Sequence, residues 1–139
     1  MKSAFLSWLL VGVMGLSMAG CGQQQPAKQS VIVTAADETA AMARLRAIAR
    51  AEAQYQVESG GEYATLDQLI QKRYVNDPSS GKLTGYRFDV QVRRGGFGIT
   101  AVPEKAGITG TRSFYVDETN VMHGADKNGA PATASDPEV

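Results

Sequence analysis

The sequence predicts an α+β fold in which a long N-terminal helix packs on a small antiparallel β-meander, accompanied by a short second helix. Two observations lead to this prediction. Residues 34–57 are rich in alanine and repeat large apolar side chains at helical spacing. After Gly85 the period changes to two, which is typical of strands with one buried face. Since a three-stranded sheet needs a cover on its apolar face, the alanine-rich helix is the expected cover.

The first helix is predicted from Thr34, a suitable capping residue, to Val57, with Gly60 and Gly61 stopping it. Alanines favour the helix and allow close approach to a sheet. The large apolar stripe comprises Met42, Leu45, Ile48 and Tyr55. Charges come from Arg44, Arg46, Arg50, Glu52 and Glu58, and the three arginines are interpreted as a solvated face.

A short second helix is predicted after Thr65, because Gln68 follows at the spacing of a capping box. Leu66, Leu69 and Ile70 are expected to face inward. The stretch from Asn76 to Gly81 consists of turn-forming residues and is interpreted as a loop.

Three or four antiparallel strands are predicted after this loop. The first alternates apolar and polar residues from Tyr86 to Arg93, and Arg94-Gly95-Gly96 makes the reversal. The second strand runs from Phe97 and is ended by Pro103. Residues 112–116 form the third strand, residues 117–120 reverse the chain, and residues 121–123 return.

The N-terminus has the order of a secretory signal peptide, with Lys2 followed by an uncharged apolar run over residues 4–20. The run ends Ser17-Met18-Ala19-Gly20-Cys21, which resembles a bacterial lipobox. This resemblance implies cleavage between Gly20 and Cys21 and fatty acylation of Cys21, with palmitate as a typical acyl group. The residue after Cys21 is Gly22 and not an acidic residue. In the lipoproteins that this signal resembles, the lack of an acidic residue at this position favours the outer membrane, facing the periplasm or the cell surface.

The predicted organisation has four parts. Residues 1–20 form the signal peptide, and residues 21–33 form a flexible polar tether. Residues 34–123 form the folded domain. Residues 124–139 are expected to be a disordered tail, because they contain almost no large apolar side chain.

Composition excludes several classes of function. The 14 basic and 14 acidic residues cancel, which argues against binding nucleic acid through phosphate neutralisation. One cysteine and one histidine exclude an intrachain disulfide framework and a Cys/His zinc site. We expect no cofactor.

The order of elements resembles the globular part of type IV pilin-like proteins and type II secretion pseudopilins. The resemblance rests on residues 47–70 (AIARAEAQYQVESGGEYATLDQLI) and residues 85–124, which end in the hairpin GITGTRSFYVDETNVMHG. It implies a pilin-like fold and an envelope protein partner. The chain departs from the family because a lipobox and a polar tether precede the helix, where pilins carry a long apolar filament-core helix. Assembly into a filament is therefore not implied.

Candidate chemistry is sparse. Asp117, Glu118 and Asn120 are candidate calcium ligands, since some pseudopilins bind calcium near this hairpin, although calcium prefers six to eight oxygens. His123 lacks a nucleophile motif around Ser113 or Asp117, so no catalytic residue is predicted and the protein is not expected to be an enzyme. The glycine-rich stretch after Arg94 lies between two strands and predicts a hairpin, not a phosphate site.

Three hypotheses follow. The first is a lipid-anchored envelope protein with a structural or protein-interaction role, linked to a pilus or type II secretion system. The second is an envelope lipoprotein that binds a small ligand or calcium at the Asp117 hairpin. An enzyme is the third and the least favoured.

Overall fold

The computed structural model describes residues 26–80 and 85–139, with side chains described from residue 34 onward. The predicted signal peptide, the lipobox and Cys21 lie outside these residues. The described chain is α+β: helices α1 (Pro26–Ser59) and α2 (Leu66–Gln71) accompany strands β1 (Tyr86–Arg93), β2 (Gly96–Pro103), β3 (Arg112–Asp117) and β4 (Met122–Asp126). The strands form one antiparallel sheet in the order β1-β2-β3-β4.

Helix α1 is longer than predicted at its start. Its backbone is helical from Pro26, inside the segment predicted as a tether, and proline is well suited to a first helical turn. Thr34 therefore lies within the helix and is not its cap. The predicted end is confirmed, since Gly60 and Gly61 adopt φ angles of 79° and 108° that other residues rarely reach.

Helix α2 begins with the predicted capping box. The Gln68 amide donates to Thr65 Oγ1 at 3.3 Å, and the Thr65 amide donates to Gln68 Oε1 at 2.8 Å. Leu69 is buried, whereas Leu66 and Ile70 are half-buried. Tyr74, just after α2, meets the Tyr55 ring of α1 edge-on at 5.6 Å between centroids.

The core lies between α1 and one face of the sheet. The buried apolar residues include Leu45, Ile48 and Tyr55 of α1, Tyr86, Phe88 and Val90 of β1, Phe97, Ile99 and Ala101 of β2, and Phe114 and Val116 of β3. This confirms the predicted helical stripe and the alternation in β1, with one exception. Val92 is 43% exposed, because it lies at the hairpin end of an edge strand.

The opposite face of the sheet is also covered near β3. Alternation directs Ser113 and Tyr115 away from the α1 side, yet they are only 0% and 9% exposed. His123 is paired with Tyr115 and shares this face, and its Nδ1 lies 2.7 Å from the main-chain oxygen of Asp136. The C-terminal segment therefore lies against the second face.

The structure differs here from the disordered tail expected for residues 124–139. Residues up to Asp126 belong to β4, and the rest folds back along its outer edge. The Gly124 amide donates to the Pro137 oxygen at 2.9 Å, and the Val139 amide donates to the Met122 oxygen at 3.0 Å. Composition misled the prediction because main-chain pairing and small side chains suffice to cover an existing sheet; Ala132 is 2% exposed.

Candidate functional site

The turn between β3 and β4 is the best-defined polar site in the described part of the chain. Asp117 Oδ1 accepts hydrogen bonds from the amide and the hydroxyl of Thr119, at 3.0 and 2.6 Å. Asn120 adopts a left-handed φ of 61°, and its main-chain N–H donates to the Asp117 main-chain oxygen at 2.9 Å. Asparagine tolerates this conformation better than most residues. The sequence therefore builds a tight, internally bonded turn from the three candidate calcium ligands.

Arg93, at the end of β1, reaches across β2 to this turn. Its guanidinium donates to the Phe97 oxygen at 3.0 Å, to the Tyr115 hydroxyl at 3.1 Å and to Glu118 Oε2 at 3.3 Å. It also lies 3.7 Å from Asp117 Oδ2. Arg93, Tyr115, Asp117 and Glu118 thus form one network, which we call the Arg93 cluster. Sequence reasoning missed Arg93 because Tyr115 and Glu118 are 22 and 25 residues away along the chain.

The Arg93 cluster shifts the pKa values of Asp117 and Tyr115. Burial on its own raises the pKa of Asp117, but hydrogen bonds from Thr119 and Tyr115 and the charge of Arg93 outweigh it and lower the pKa. Burial also raises the pKa of the Tyr115 phenol, which therefore stays protonated and donates to Asp117 Oδ2 at 3.2 Å. The turn carries two carboxylates, and Arg93 balances one of their two charges.

This geometry disfavours calcium at the turn. Both Asp117 oxygens and one Glu118 oxygen already accept protein hydrogen bonds, and a cation would lie close to the Arg93 guanidinium. Over residues 34–80 and 85–139, no group of three or more His, Cys, Asp or Glu residues is arranged to hold a metal ion.

Two glycines of β2 make room for the Arg93 cluster. A Cβ on Gly96 would lie 2.7 Å from the Glu118 carboxyl group, and a Cβ on Gly98 would lie 3.0 Å from the Tyr115 ring. The glycine-rich stretch is the predicted hairpin, since Arg93 pairs with Gly96 and Gly95 has a φ of 77°. Its glycines serve side-chain packing across the sheet as well as the turn.

A cavity of about 170 Å³ lies between α1 and the β3–β4 turn. We call it the turn cavity. Tyr63 and Phe97, with ring centroids 5.2 Å apart, form its aromatic wall. Its other lining residues are Ala49, Arg50, Ala53 and Gln56 of α1 and Asp117, Glu118 and Asn120 of the turn. The three candidate calcium ligands therefore line a cavity together with the Arg50 guanidinium and the Gln56 side-chain amide. The sequence analysis did not connect these two residues of α1 with the turn.

His123 and Ser113 do not form a catalytic pair in the structure. The Ser113 hydroxyl is buried and has no hydrogen-bond partner among the described residues. The His123 ring bonds instead to the main chain of Asp136. Asp117, the carboxylate considered with them, bonds to Tyr115 and Thr119.

Three carboxylates of α1 are buried, Asp37, Glu38 and Glu52, and two of them accept hydrogen bonds from distant segments, which the sequence did not suggest. Glu38 Oε1 accepts from the amides of Thr111 and Arg112, at 3.0 and 3.1 Å, while Oε2 pairs with the Arg112 guanidinium at 3.0 Å. Glu38 therefore fastens α1 to the start of β3. The sequence could have indicated that Glu38 faces inward, because Glu38 lies seven residues before Leu45 and therefore on the apolar stripe of the helix.

Glu52 is the most deeply buried of these three carboxylates, with 0% exposure. Its Oε2 accepts from the Ala64 amide at 3.0 Å, and its Oε1 has no partner among the described residues. Burial raises the pKa of Glu52, and the Ala64 hydrogen bond only partly opposes this. Glu52 also lies on the apolar stripe, four residues after Ile48, a spacing that marks it as inward-facing.

Comparison with known proteins adds no relative. No protein-family model matches the chain, and neither a curated protein nor a solved structure shows significant similarity to it. Neither of the helices described from Pro26 onward is both long enough and apolar enough to span a bilayer.

Proposed function

We propose that this chain is a lipid-anchored protein of the bacterial cell envelope whose α+β domain has a structural or protein-interaction role. The observation that carries the proposal is the apolar N-terminal run ending in Ser17-Met18-Ala19-Gly20-Cys21. Acyl chains on Cys21 would hold the chain at a membrane, each buried methylene contributing about 0.8 kcal/mol. The same signal favours the outer membrane, facing the periplasm or the cell surface.

The proposed domain type is pilin-like, with a pilus or type II secretion system as the source of partners. Its support is the order of elements: a long helix, a loop that contains Gly60, Gly61 and Tyr63, a short capped helix and an antiparallel meander. The helix bears polar and charged residues such as Arg46 and Arg50 on its exposed side. This surface suits a solvated module better than the packed centre of a filament.

Lipidation is tested by Cys21→Ser in the full chain, expressed in a bacterium that processes lipoproteins. We expect wild-type protein to incorporate a fatty-acid probe and to sediment with membranes, and the variant to do neither. Ser17→Cys in the Cys21→Ser background is the matched control, because it restores a thiol away from the cleavage position. A Cys21→Ser variant that is still labelled and membrane-bound would refute the anchor.

The interaction role is tested by crosslinking in intact cells followed by purification from membranes. We expect an envelope protein of a pilus or secretion system to be enriched with the wild-type chain relative to the Cys21→Ser variant. Recovery of no envelope partner would count against the proposal.

The turn cavity favours a second candidate function, the binding of a small ligand. Its volume suits a molecule of a few heavy atoms, and it offers an aromatic wall, the Arg50 cation and the amide of Gln56. Because Arg93 and Arg50 together balance the two carboxylates of the turn, and both Asp117 oxygens already accept hydrogen bonds, an uncharged ligand fits better than calcium. Equal thermal midpoints with calcium and with a chelator are expected, and a calcium-dependent increase would show that the turn opens to hold the ion.

A further inference from the structure

The two edges of the sheet differ in whether another segment of the chain pairs with them. The outer edge of β4 is occupied by the C-terminal segment, through the hydrogen bonds between Gly124 and Pro137 and between Val139 and Met122. At the other edge, β1 pairs with β2, and no other described segment pairs with it. An eight-residue strand with one open side presents free amides and carbonyls to another strand.

The exposed face of β1 carries two charges that lack ionic partners. Arg87 and Asp89 are both exposed and point to the same side of the strand. Neither forms an ion pair with any residue that the structure describes, and Asp89 accepts a hydrogen bond from the Gln91 side chain at 3.2 Å. Charges on an edge strand often prevent pairing, but here their signs alternate and permit it.

We propose that the open edge of β1 binds β1 of a second copy of this chain, antiparallel and centred on Phe88. In this register Arg87 lies opposite Asp89 of the partner subunit, and the twofold axis repeats the pair. On the other face Tyr86 lies opposite Val90 of the partner subunit and Phe88 lies opposite its own copy; in each subunit these three side chains are already buried in the core. The result is a continuous eight-stranded sheet with matched charges on one face and apolar residues on the other.

Other registers are worse matched. Centring the pair on Asp89 places this carboxylate against its own copy, and centring on Val90 places Arg87 against Arg93. Centring on Gln91 pairs Asp89 with Arg93, but the Arg93 guanidinium is already bound within the Arg93 cluster. That register also sets Phe88 against Arg94. Of these four registers, only the one centred on Phe88 sets Arg87 against Asp89 and apolar residues against apolar residues.

The proposal goes beyond the proposed function and does not depend on lipid attachment to Cys21. The interface is small compared with permanent dimers, so dimerisation should depend on protein concentration. Sedimentation velocity of the full chain in mild detergent, up to about 1 mM protein, measures it. We expect wild-type protein to shift from monomer to dimer over this range.

Charge reversal tests the register. Arg87→Glu and Asp89→Arg each create two like-charge pairs across the axis, and each should weaken dimerisation at least about tenfold. The double variant R87E/D89R restores opposite charges and should return the dimerisation constant to within about threefold of wild type. Arg94→Glu is the control, because it makes the same charge change in the hairpin turn, outside the paired residues, and should leave dimerisation unchanged.

Circular dichroism and thermal midpoints of all four variants show whether each is folded, as expected for exposed positions. A wild-type chain that stays monomeric up to 1 mM overturns the proposal. Failure of the double variant to recover also overturns it, since matched charges would then not govern the interface. Dissociation by Asp89→Arg without an effect of Arg87→Glu excludes the register centred on Phe88.

Discussion

The burial of the Glu52 carboxylate destabilises the folded domain. Glu52 lies in the middle of an alanine-rich helix, fully buried, with one carboxylate oxygen bonded and the other without a described partner. A charged group in this position loses hydration without full compensation. The hydrogen bond from Ala64 nevertheless connects α1 to the loop before α2. Glu52 therefore positions this loop on the helix and at the same time lowers the stability of the domain.

Glu52→Gln is therefore expected to stabilise the domain at neutral pH, by about 1 kcal/mol, because a neutral amide costs less to bury than a carboxylate. Since the folded-state pKa of Glu52 is raised, the native state binds more protons, and wild-type stability falls as pH rises through that pKa. The advantage of the variant should be smallest below about pH 4, where Glu52 is protonated in both states, and should grow towards pH 7.

Urea unfolding across this pH range measures the effect on Glu52. Glu62→Gln is the matched control, because Glu62 is exposed and its side chain forms no described hydrogen bond. A Glu52→Gln difference that is independent of pH would show that the carboxylate is not protonated on burial.

At the scale of elements, the contact between α1 and β3 depends on a polar anchor as well as on apolar packing. One Glu38 carboxylate accepts two main-chain amides and pairs with the Arg112 guanidinium, whose carbon lies 5.3 Å from the Phe114 ring centre. Hydrogen bonds to a charged group contribute more than neutral ones. The anchor also positions the first residue of β3 against the helix.

Glu38→Ala is expected to lower the free energy of unfolding by about 2 kcal/mol, because it leaves two amides and a guanidinium without their acceptor. Chemical denaturation of the full chain measures this loss. Glu38→Gln keeps one acceptor and should lose less than Glu38→Ala. Equal stability of Glu38→Ala and wild type would show that water replaces the anchor without cost.

At the scale of the whole molecule, the C-terminal segment completes the sheet. It covers the outer edge of β4, and its Lys127 and Asp136 side chains form an ion pair at 3.0 Å. Threonine supports the turn before Asp136, since the Thr133 amide donates to the Asp136 carboxylate at 2.8 Å. With this edge closed by the chain itself, β1 is left as the edge available to a partner.

Deletion of residues 127–139 is expected to lower the free energy of unfolding by about 2 kcal/mol, since two main-chain hydrogen bonds to β4 are lost and the second face is uncovered. In the full chain the Gly124 amide should be protected from hydrogen exchange, and in the deletion variant it should exchange rapidly. Lys127→Ala removes only the ion pair and should retain the protection. Rapid exchange of Gly124 in the full chain would instead support the disordered tail that composition suggests.

Local patterns predicted most of the secondary structure. The period of two identified β1 and β2, the Gly60-Gly61 pair marked the end of α1, and the Thr65 and Gln68 pair identified the start of α2. These signals depend on neighbouring residues only, so they are readable without the fold. The prediction of an N-terminal signal peptide over residues 1–20, followed by Cys21, likewise rests on the sequence alone.

Other features were decided by the tertiary structure because they join segments that are far apart in the chain. Arg93 meets Asp117 and Glu118 only when β1 and β3 flank β2, and Glu38 meets Arg112 only when α1 packs on the sheet. The C-terminal segment is ordered only because β4 offers it an edge. Composition and periodicity describe what a segment can form by itself, whereas burial, charge pairing and edge closure depend on which segment becomes its neighbour.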